Sequence, residues 1–469
     1  MTTTPEQIDV WRLSRAEDEH IEFKEAKTQY DNRKLYEYCV AIANEGGGRL
    51  VLGVADKPPR PVVGTQAFAN PVAMAEKLYQ AVGFRVDIES VLHPHGRVLV
   101  FHVPSRPRGT AYHLDGAYLM RSGEALVAMS EDRLRAIFDE GKPEWLSGVA
   151  ASQVSAARVI ELLDTQSYFE LLRLPYPATR QGVLDRLARE GFITASGLAF
   201  DIVNLSALLF AKRLDEFEGL ARKAPRVITY DGPSKLRTKR EQIGGKGYAV
   251  GFEGLVQFIE SQTPANEVVE QALRREVRMY PTIMIRETVA NALIHQDLMA
   301  EGASVMIEIF DDRIEISNPG QPSVQVERFI DEYRSRNERL ADVMRRVGIC
   351  EEKGSGIDKV VNGAEVFQLP APEFLVDHVR TTCILHGHRS FSAMSRGDRI
   401  RACYQHCCLR YVMRETTSNQ SLRKRFGLPD DRAETVSRVL RDAGEAGLIK
   451  QEETGSGSKK YTRYVPFWA

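Results

Sequence analysis

Apolar positions recur along this chain with two periods, one near 3.6 and one of two, and the change from one to the other marks the elements. Between 33 and 44, Leu35, Tyr38, Cys39 and Ile42 fall on one side of a helix, which Asn44-Glu45-Gly46-Gly47-Gly48 ends. The run Arg49-Leu50-Val51-Leu52-Gly53-Val54-Ala55-Asp56 follows as a buried strand closing on an acid. In the middle, the spacing predicts helix from 145 to about 172, stopped by Pro175, and a glycine-closed helix over 178–191. A short strand is expected at 192–194, a buried strand or helix at 205–211, and a strand at 227–232 leading into the basic loop of Lys235, Arg237, Lys239 and Arg240. Segments 303–310 and 314–317 alternate around Asp311-Asp312-Arg313 as a hairpin does. The tail reads as helices over 398–413, 419–426 and 432–446, then strands at 448–450 and 461–465 around a glycine-rich turn.

This order predicts an α+β multidomain protein, with boundaries expected at 1–145, 146–265, 266–388 and 389–469. Its 469 residues are too many for one core. Apolar residues at 43% and charged residues at 27% place it among ordinary globular proteins. There is neither a run of about 18 apolar residues nor a charged-then-apolar start, so no membrane association and a cytoplasmic location are expected. With a net charge of −1, any nucleic-acid surface must come from local asymmetry. From Arg389 onward, 16 Lys plus Arg stand against nine Asp plus Glu, which supplies that asymmetry. The six cysteines are unevenly placed and suggest no disulfide framework. Cys383, His386, His388, Cys403, His406, Cys407 and Cys408 invite a zinc reading, but no Cys-x-x-Cys knuckle fixes its geometry.

Candidate chemistry concentrates first in 286–297. On a helix Glu287, Asn291 and His295 project from one face, while Val289, Ala290, Leu293 and Ile294 can turn inward. The hairpin then leads to Asn318-Pro319-Gly320, and Gly354-Ser355-Gly356 stands just before another helical run, where freed backbone amides can cradle phosphate. Together, over roughly 265–385, these stretches resemble the GHKL nucleotide-binding α/β sandwich, in the compact version of bacterial predicted transcriptional regulators. The resemblance implies ATP and Mg2+ as cofactors. It implies that Asn291 ligands the metal and that Glu287 orients or deprotonates water. By the same resemblance Asn318 and Gly320 lie against adenine, and Gly354, Ser355 and Gly356 close on phosphate; His295, which the helix spacing puts on the same face, is a further cofactor-binding candidate. Larger members carry aspartate where this chain has Asn318. Arg334-Ser335-Arg336-Asn337-Glu338 falls at the nucleotide lid, from which Arg336 and Asn337 could reach phosphate. No Gly-x-x-x-x-Gly-Lys-Ser/Thr loop is present, which argues against a phosphate-loop motor.

A second concentration lies near the N-terminus. Glu17, Glu22 and Asp56, with Lys24 beside them, could form a divalent-metal site in which carboxylates hold Mg2+ or Mn2+ and the lysine supports developing charge. Ile21-Glu22-Phe23-Lys24, Ala43-Asn44-Glu45-Gly46-Gly47, Leu52-Gly53-Val54-Ala55-Asp56 and the later 98–104 and 117–123 resemble the Schlafen-like, AlbA-type α/β domain. That family binds nucleic acid, and some members cut RNA with an acidic triad matching Glu17, Glu22 and Asp56. Tyr118 and Arg121 are candidate strand contacts.

The intervening region reads as a small helical, winged-helix-like connector. Three helices and a glycine-rich hairpin at the C-terminus describe a winged helix, with Arg432, Thr435 and Arg438 facing the major groove and Lys459, Lys460 and Arg463 on backbone phosphate. Two functions fit these expectations. One is an ATP-binding, nucleic-acid-binding, transcriptional-regulator-like protein; the other is an ATP-gated, metal-dependent nuclease acting on RNA, tRNA or DNA in anti-phage defence. ATPase and endonuclease activity stay open between them. DNA or RNA is the expected partner, and a homo-oligomer, dimer or higher, is expected because lids of the resembled fold often work across dimers.

Overall fold

The computed structural model describes residues 3–13, 20–122, 125–141, 144–270, 273–350, 354–452 and 462–469. The chain divides into two compact units, Met1–Pro143 and Glu144–Ala469.

The first unit is built on a four-stranded sheet in the order Ile21–Lys24, Gly48–Leu52, Gly96–Val103, Asp87–His93. Its first pair is parallel and the others antiparallel. Period-two alternation sorts the side chains. Leu50, Leu52, Leu99 and Phe101 pack with Leu35, Cys39 and Ile42 of helix Asn32–Asn44 and with Leu78 of helix Pro71–Val82. Val51, Val98 and Val100 turn to the other face, where Ile8 of helix Pro5–Arg12 covers them. The glycine triplet has a steric reason: Gly47 sits at φ +85°, and a Cβ there would lie 2.6 Å from the Ser105 amide nitrogen. Strand Gly48–Leu52 is shorter than the run 49–56 that the sequence suggested, and the chain bends away at Gly53.

In the second unit, strands Val149–Val154, Ala199–Val203 and Ile193–Ser196 form a small antiparallel sheet surrounded by four short helices. Helix had been expected throughout 145–172; instead Val149–Val154 pairs with Ala199–Val203, and helix runs only over Ala156–Leu162 and Thr165–Leu171. The ambiguous 205–211 run is a helix, Asn204–Phe210, whose side chains from Leu205 to Phe210 are all buried.

The largest sheet runs Thr238–Ile243, Arg226–Tyr230, Met306–Ile309, Arg313–Pro319, Arg380–His386, Glu373–Val376. Its neighbours are antiparallel except where Arg226–Tyr230 meets Met306–Ile309. Two of these strands come from the region expected to be a connector, so the sheet crosses the boundary drawn at 265. Pairing to Met306–Ile309 satisfies the backbone of Arg226–Tyr230, and Val227 joins the shared core. Ile307, Ile309, Ile314, Ile316 and Leu385 form one face with Phe252 of helix Tyr248–Gln262 and with Val289 and Leu293 of helix Thr282–His295. This core also takes in Tyr168, Leu187 and Leu208, which joins the small sheet's helices to it.

The C-terminal segment has helices Arg396–Val412, Asn419–Arg425 and Ala433–Glu445, then an antiparallel pair, Ile449–Gln451 with Tyr464–Pro466. Cys403, Cys407, Leu422, Val436, Leu440 and Ile449 form its core. All six cysteines are free, and among the described residues no group of three or more His, Cys, Asp or Glu could hold a metal ion. No described helix is long and apolar enough to cross a membrane.

Candidate functional site

Helix Thr282–His295 turns Met284, Ile285, Val289, Ala290 and Leu293 into the core, which leaves Glu287, Asn291 and His295 along one wall of a cleft of about 1100 Å³, its open mouth included. Ile316, Asn318, Thr381 and Cys383 from the sheet form the floor. Phe329, Tyr333 and Arg334 also line it, as do Gly354, Gly356 and Ile357. The three polar residues predicted at four-residue spacing are therefore brought to one place.

Gly356 begins helix Gly356–Val366 directly against that wall. A Cβ at this position would lie 3.0 Å from Glu287 Oε2 and 3.3 Å from Asn291 Nδ2, so any side chain would fill the space in front of the acid and the amide. Gly354 has φ +66°, and its missing Cβ makes room for the Tyr333 ring. Ser355 takes the N-cap position of the helix. Glu287 is only 4% exposed, with Lys359 Nζ 3.5 Å from its Oε1. The His295 imidazole is pushed down to about 4, first by burial and then by the positive charge of Arg336, so it is neutral at physiological pH.

Asn318 is buried and its Nδ2 donates to the Pro319 carbonyl at 3.1 Å, which leaves Oδ1 as an acceptor. Gly320, at φ +95°, makes the turn beside it; its amide donates to Val379 and its carbonyl accepts from Thr381 Oγ1 at 2.8 Å. The expected lid contacts need correction. Asn337 Nδ2 donates to the Ile294 and Gln296 carbonyls at 2.7 and 2.8 Å, closing the C-terminal end of the cleft helix, and Arg336 donates to the Gln321 carbonyl. Arg334, exposed and lining the cleft, is the lid cation that faces it.

In the first unit, strand pairing brings Glu22, Lys24 and Asp56 together. Lys24 Nζ lies 2.7 Å from Glu22 Oε1 and 3.3 Å from Asp56 Oδ2, and Asp56 Oδ1 accepts from the Glu25 amide at 2.9 Å. Burial works against the Lys24 charge, but the Glu22 hydrogen bond and the charges of Glu22 and Asp56 outweigh it and raise its pKa. The other oxygen of Glu22 is in ion-pair contact with Arg121, and both side chains are 1% exposed. Arg121 also donates to the Ile21 carbonyl at 3.1 Å. The role of strand contact expected for Arg121 is therefore replaced by that of a buried counter-ion. Tyr118 packs edge-on against His113 and Phe138. Glu17 lies outside the described residues. Glu22, with both oxygens engaged, does not fit a divalent-metal ligand.

At the C-terminus, Arg432 and Arg438 are exposed on or beside helix Ala433–Glu445, Thr435 is half-buried between them, and Arg438 pairs with Glu434 at 3.4 Å. Arg463 is exposed, while Lys459 and Lys460 lie outside the described residues. Two structural roles had no signature in the sequence. Asn44 exchanges three hydrogen bonds with the backbone of Tyr112 and Leu119, and Lys359 reaches Glu287 from a separate helix. Each depends on chain segments that meet only in the fold.

Residues 17–130 match the family described as "Schlafen, AlbA_2", and residues 302–385 match the family described as "Putative ATP-dependent DNA helicase recG C-terminal". The chain carries these two domain types in the order its motifs implied. Glu287 and Asn291 precede the second matched segment. No curated protein matches the chain. Among solved structures, it is similar to the DIP2311 protein from Corynebacterium diphtheriae, at 16% identity over 98% of this chain and 97% of that one, with a TM-score of 0.43. It is also similar to the "N-terminal Domain of Putative ATP-dependent DNA Helicase RecG-related Protein" from Nitrosomonas europaea, at 20% identity over 26% of this chain and 90% of that one, with a TM-score of 0.20.

Proposed function

We propose that this protein binds ATP in the Glu287–Asn291 cleft and that the nucleotide regulates its hold on DNA or RNA, in the manner of a transcriptional regulator. The observation that carries the reading is the close approach of Gly356, the first residue of its helix, to Glu287 and Asn291, which any side chain at 356 would obstruct. Bound magnesium would supply charge neutralisation between the phosphates. Asn291 offers it a side-chain oxygen, and the amides at the start of helix Gly356–Val366 offer partial positive charge to phosphate. Arg334, which also lines the cleft, adds a full charge. Asn318 Oδ1 can accept from a base amino group, the part an aspartate plays in larger relatives of this fold. Glu287, with Lys359 beside it, is placed to hold a water near the phosphates.

The nucleic-acid half of the proposal draws on the AlbA-type match and on the winged-helix reading of the C-terminal helices and strand pair, with Arg432, Thr435, Arg438 and Arg463 as its contacts. The engagement of Glu22 by Lys24 and Arg121 supports binding without cutting. Calorimetry tests the core of the proposal. Magnesium-ATP is expected to give a binding isotherm with the parent chain and none with Asn291→Ala, and equal affinity in the two would sink the assignment. In parallel, tRNA, mRNA and single- and double-stranded DNA incubated with Mg2+ or Mn2+ should stay intact. Cleavage by the parent that is lost in Asp56→Ala would restore the nuclease reading.

A further inference from the structure

The wall of the cleft formed by Phe329, Tyr333 and Arg334 belongs to a strap that also rests on the C-terminal segment. Its 3-10 turn, Val326–Arg328, presents the Glu327 carbonyl to the Tyr404 hydroxyl of helix Arg396–Val412, which donates to it. The same hydroxyl accepts from Trp468 Nε1 at 3.3 Å. The Arg328 guanidinium lies 4.9 Å from the centre of a Trp468 ring and is held in place by Asp331, at 2.9 and 3.0 Å from its Nε. Ile330 enters the C-terminal core outright. A second hollow lies between strap and helix, and Phe329, Ile357 and Phe374 line both it and the nucleotide cleft.

The far side of the cleft is tied to the same helix. Helix Gly356–Val366 touches Glu287 and Asn291 with its first residue, and near its other end Glu365 accepts from His406 at 2.9 Å. Just beyond, the Leu369 carbonyl accepts from Arg425 at 2.8 Å. Both walls are thus fastened to a segment that lies outside the matched residues 302–385.

We propose that Tyr404 and Trp468 are positioning residues for the nucleotide cleft, holding the strap so that a nucleotide entering the cleft is felt at the C-terminal segment. The inference rests on the reading of the cleft as an ATP site. Because the strap's outer face is made of specific polar contacts on one hydroxyl and one indole, a displacement of Phe329 or Tyr333 by the ligand must change the surroundings of Trp468. The coupling is reciprocal: whatever the C-terminal segment binds must alter ATP affinity by the same factor by which ATP alters its own.

Two measurements on the full chain test this with magnesium-ATP as the probe. In Trp11→Phe/Trp145→Phe, where Trp468 is the remaining tryptophan, its emission should change along the titration with the same midpoint as the calorimetric isotherm. In Tyr404→Phe, made in the otherwise parent chain, the lost bond should lower the melting midpoint by a few degrees, and ATP affinity should fall about two- to tenfold, up to the worth of one hydrogen bond. Binding heat with silent Trp468 emission, or an unchanged Kd in Tyr404→Phe, overturns this inference and leaves the ATP site standing. No binding heat with the parent overturns the ATP site and this inference together.

Discussion

Replacing Glu22 by glutamine separates two accounts of the N-terminal charge cluster by the sign of its effect. If Glu22, Asp56 and a neighbouring acid formed an open metal site, neutralising one carboxylate would relieve repulsion, and the unit would melt higher. The structure predicts the reverse. Glu22 and Arg121 are each 1% exposed at their side chains, so glutamine would take from the buried Arg121 guanidinium the negative charge that Glu22 supplies. Breaking a buried pair by removing one partner costs about 3–5 kcal/mol. Lys24 is 21% exposed and retains Asp56 at 3.3 Å, so it is not stranded, and Arg121 keeps the Ile21 carbonyl; both favour the lower end, about 3 kcal/mol. At about 2–4 °C per kcal/mol for a domain near this size, the affected transition should fall by roughly 6–12 °C. Differential scanning calorimetry of the full chain, with Arg121→Met beside Glu22→Gln, measures it directly. A midpoint in Glu22→Gln that is unchanged or higher would refute the buried-pair reasoning and return Glu22 to the metal reading.

Gly356→Ala should lower magnesium-ATP affinity at least tenfold, because the new methyl group would stand 3.0 Å from Glu287 Oε2 and 3.3 Å from Asn291 Nδ2; retained affinity by calorimetry would count against the cradle. His295 makes stability pH-dependent. Its folded pKa of about 4 lies below the ordinary 6.5, so its contribution is complete above about pH 6.5 and is lost as pH falls toward 4, where the unfolded chain binds the proton first. Urea unfolding between pH 4 and 7 should show that slope in the parent and a flatter one in His295→Gln.

Much of the site could be read in local sequence. Four-residue spacing on a helix puts Glu287, Asn291 and His295 on one face whatever surrounds them, and the apolar residues between them fix which face turns inward. Glycines at 320, 354 and 356 marked places where backbone must turn or lie close, and each does so. Alternation in 306–309 and 313–319 gave the hairpin and its buried side. In the N-terminal unit, the short motif around Glu22 and the strand before Asp56 pointed to segments that pair, and the pairing brings both acids to Lys24.

What a polar side chain does once it arrives was decided by partners far along the chain. Arg121 is 99 residues from Glu22, and burial of both turned a candidate nucleic-acid contact into a counter-ion. Asn337 could have reached phosphate, but the open carbonyls at the end of the cleft helix took its amide. Strand Arg226–Tyr230 carried no mark of pairing with a strand some eighty residues later. Nor did Tyr404 and Trp468 show that they would carry the strap. Periodicity and glycine placement act within a turn or a strand, so the sequence alone determined element type, inward face and the cluster on one helix. Ion pairing, carbonyl capping and sheet membership depend on which segments close on one another and exclude water between them, and only the tertiary structure decided those.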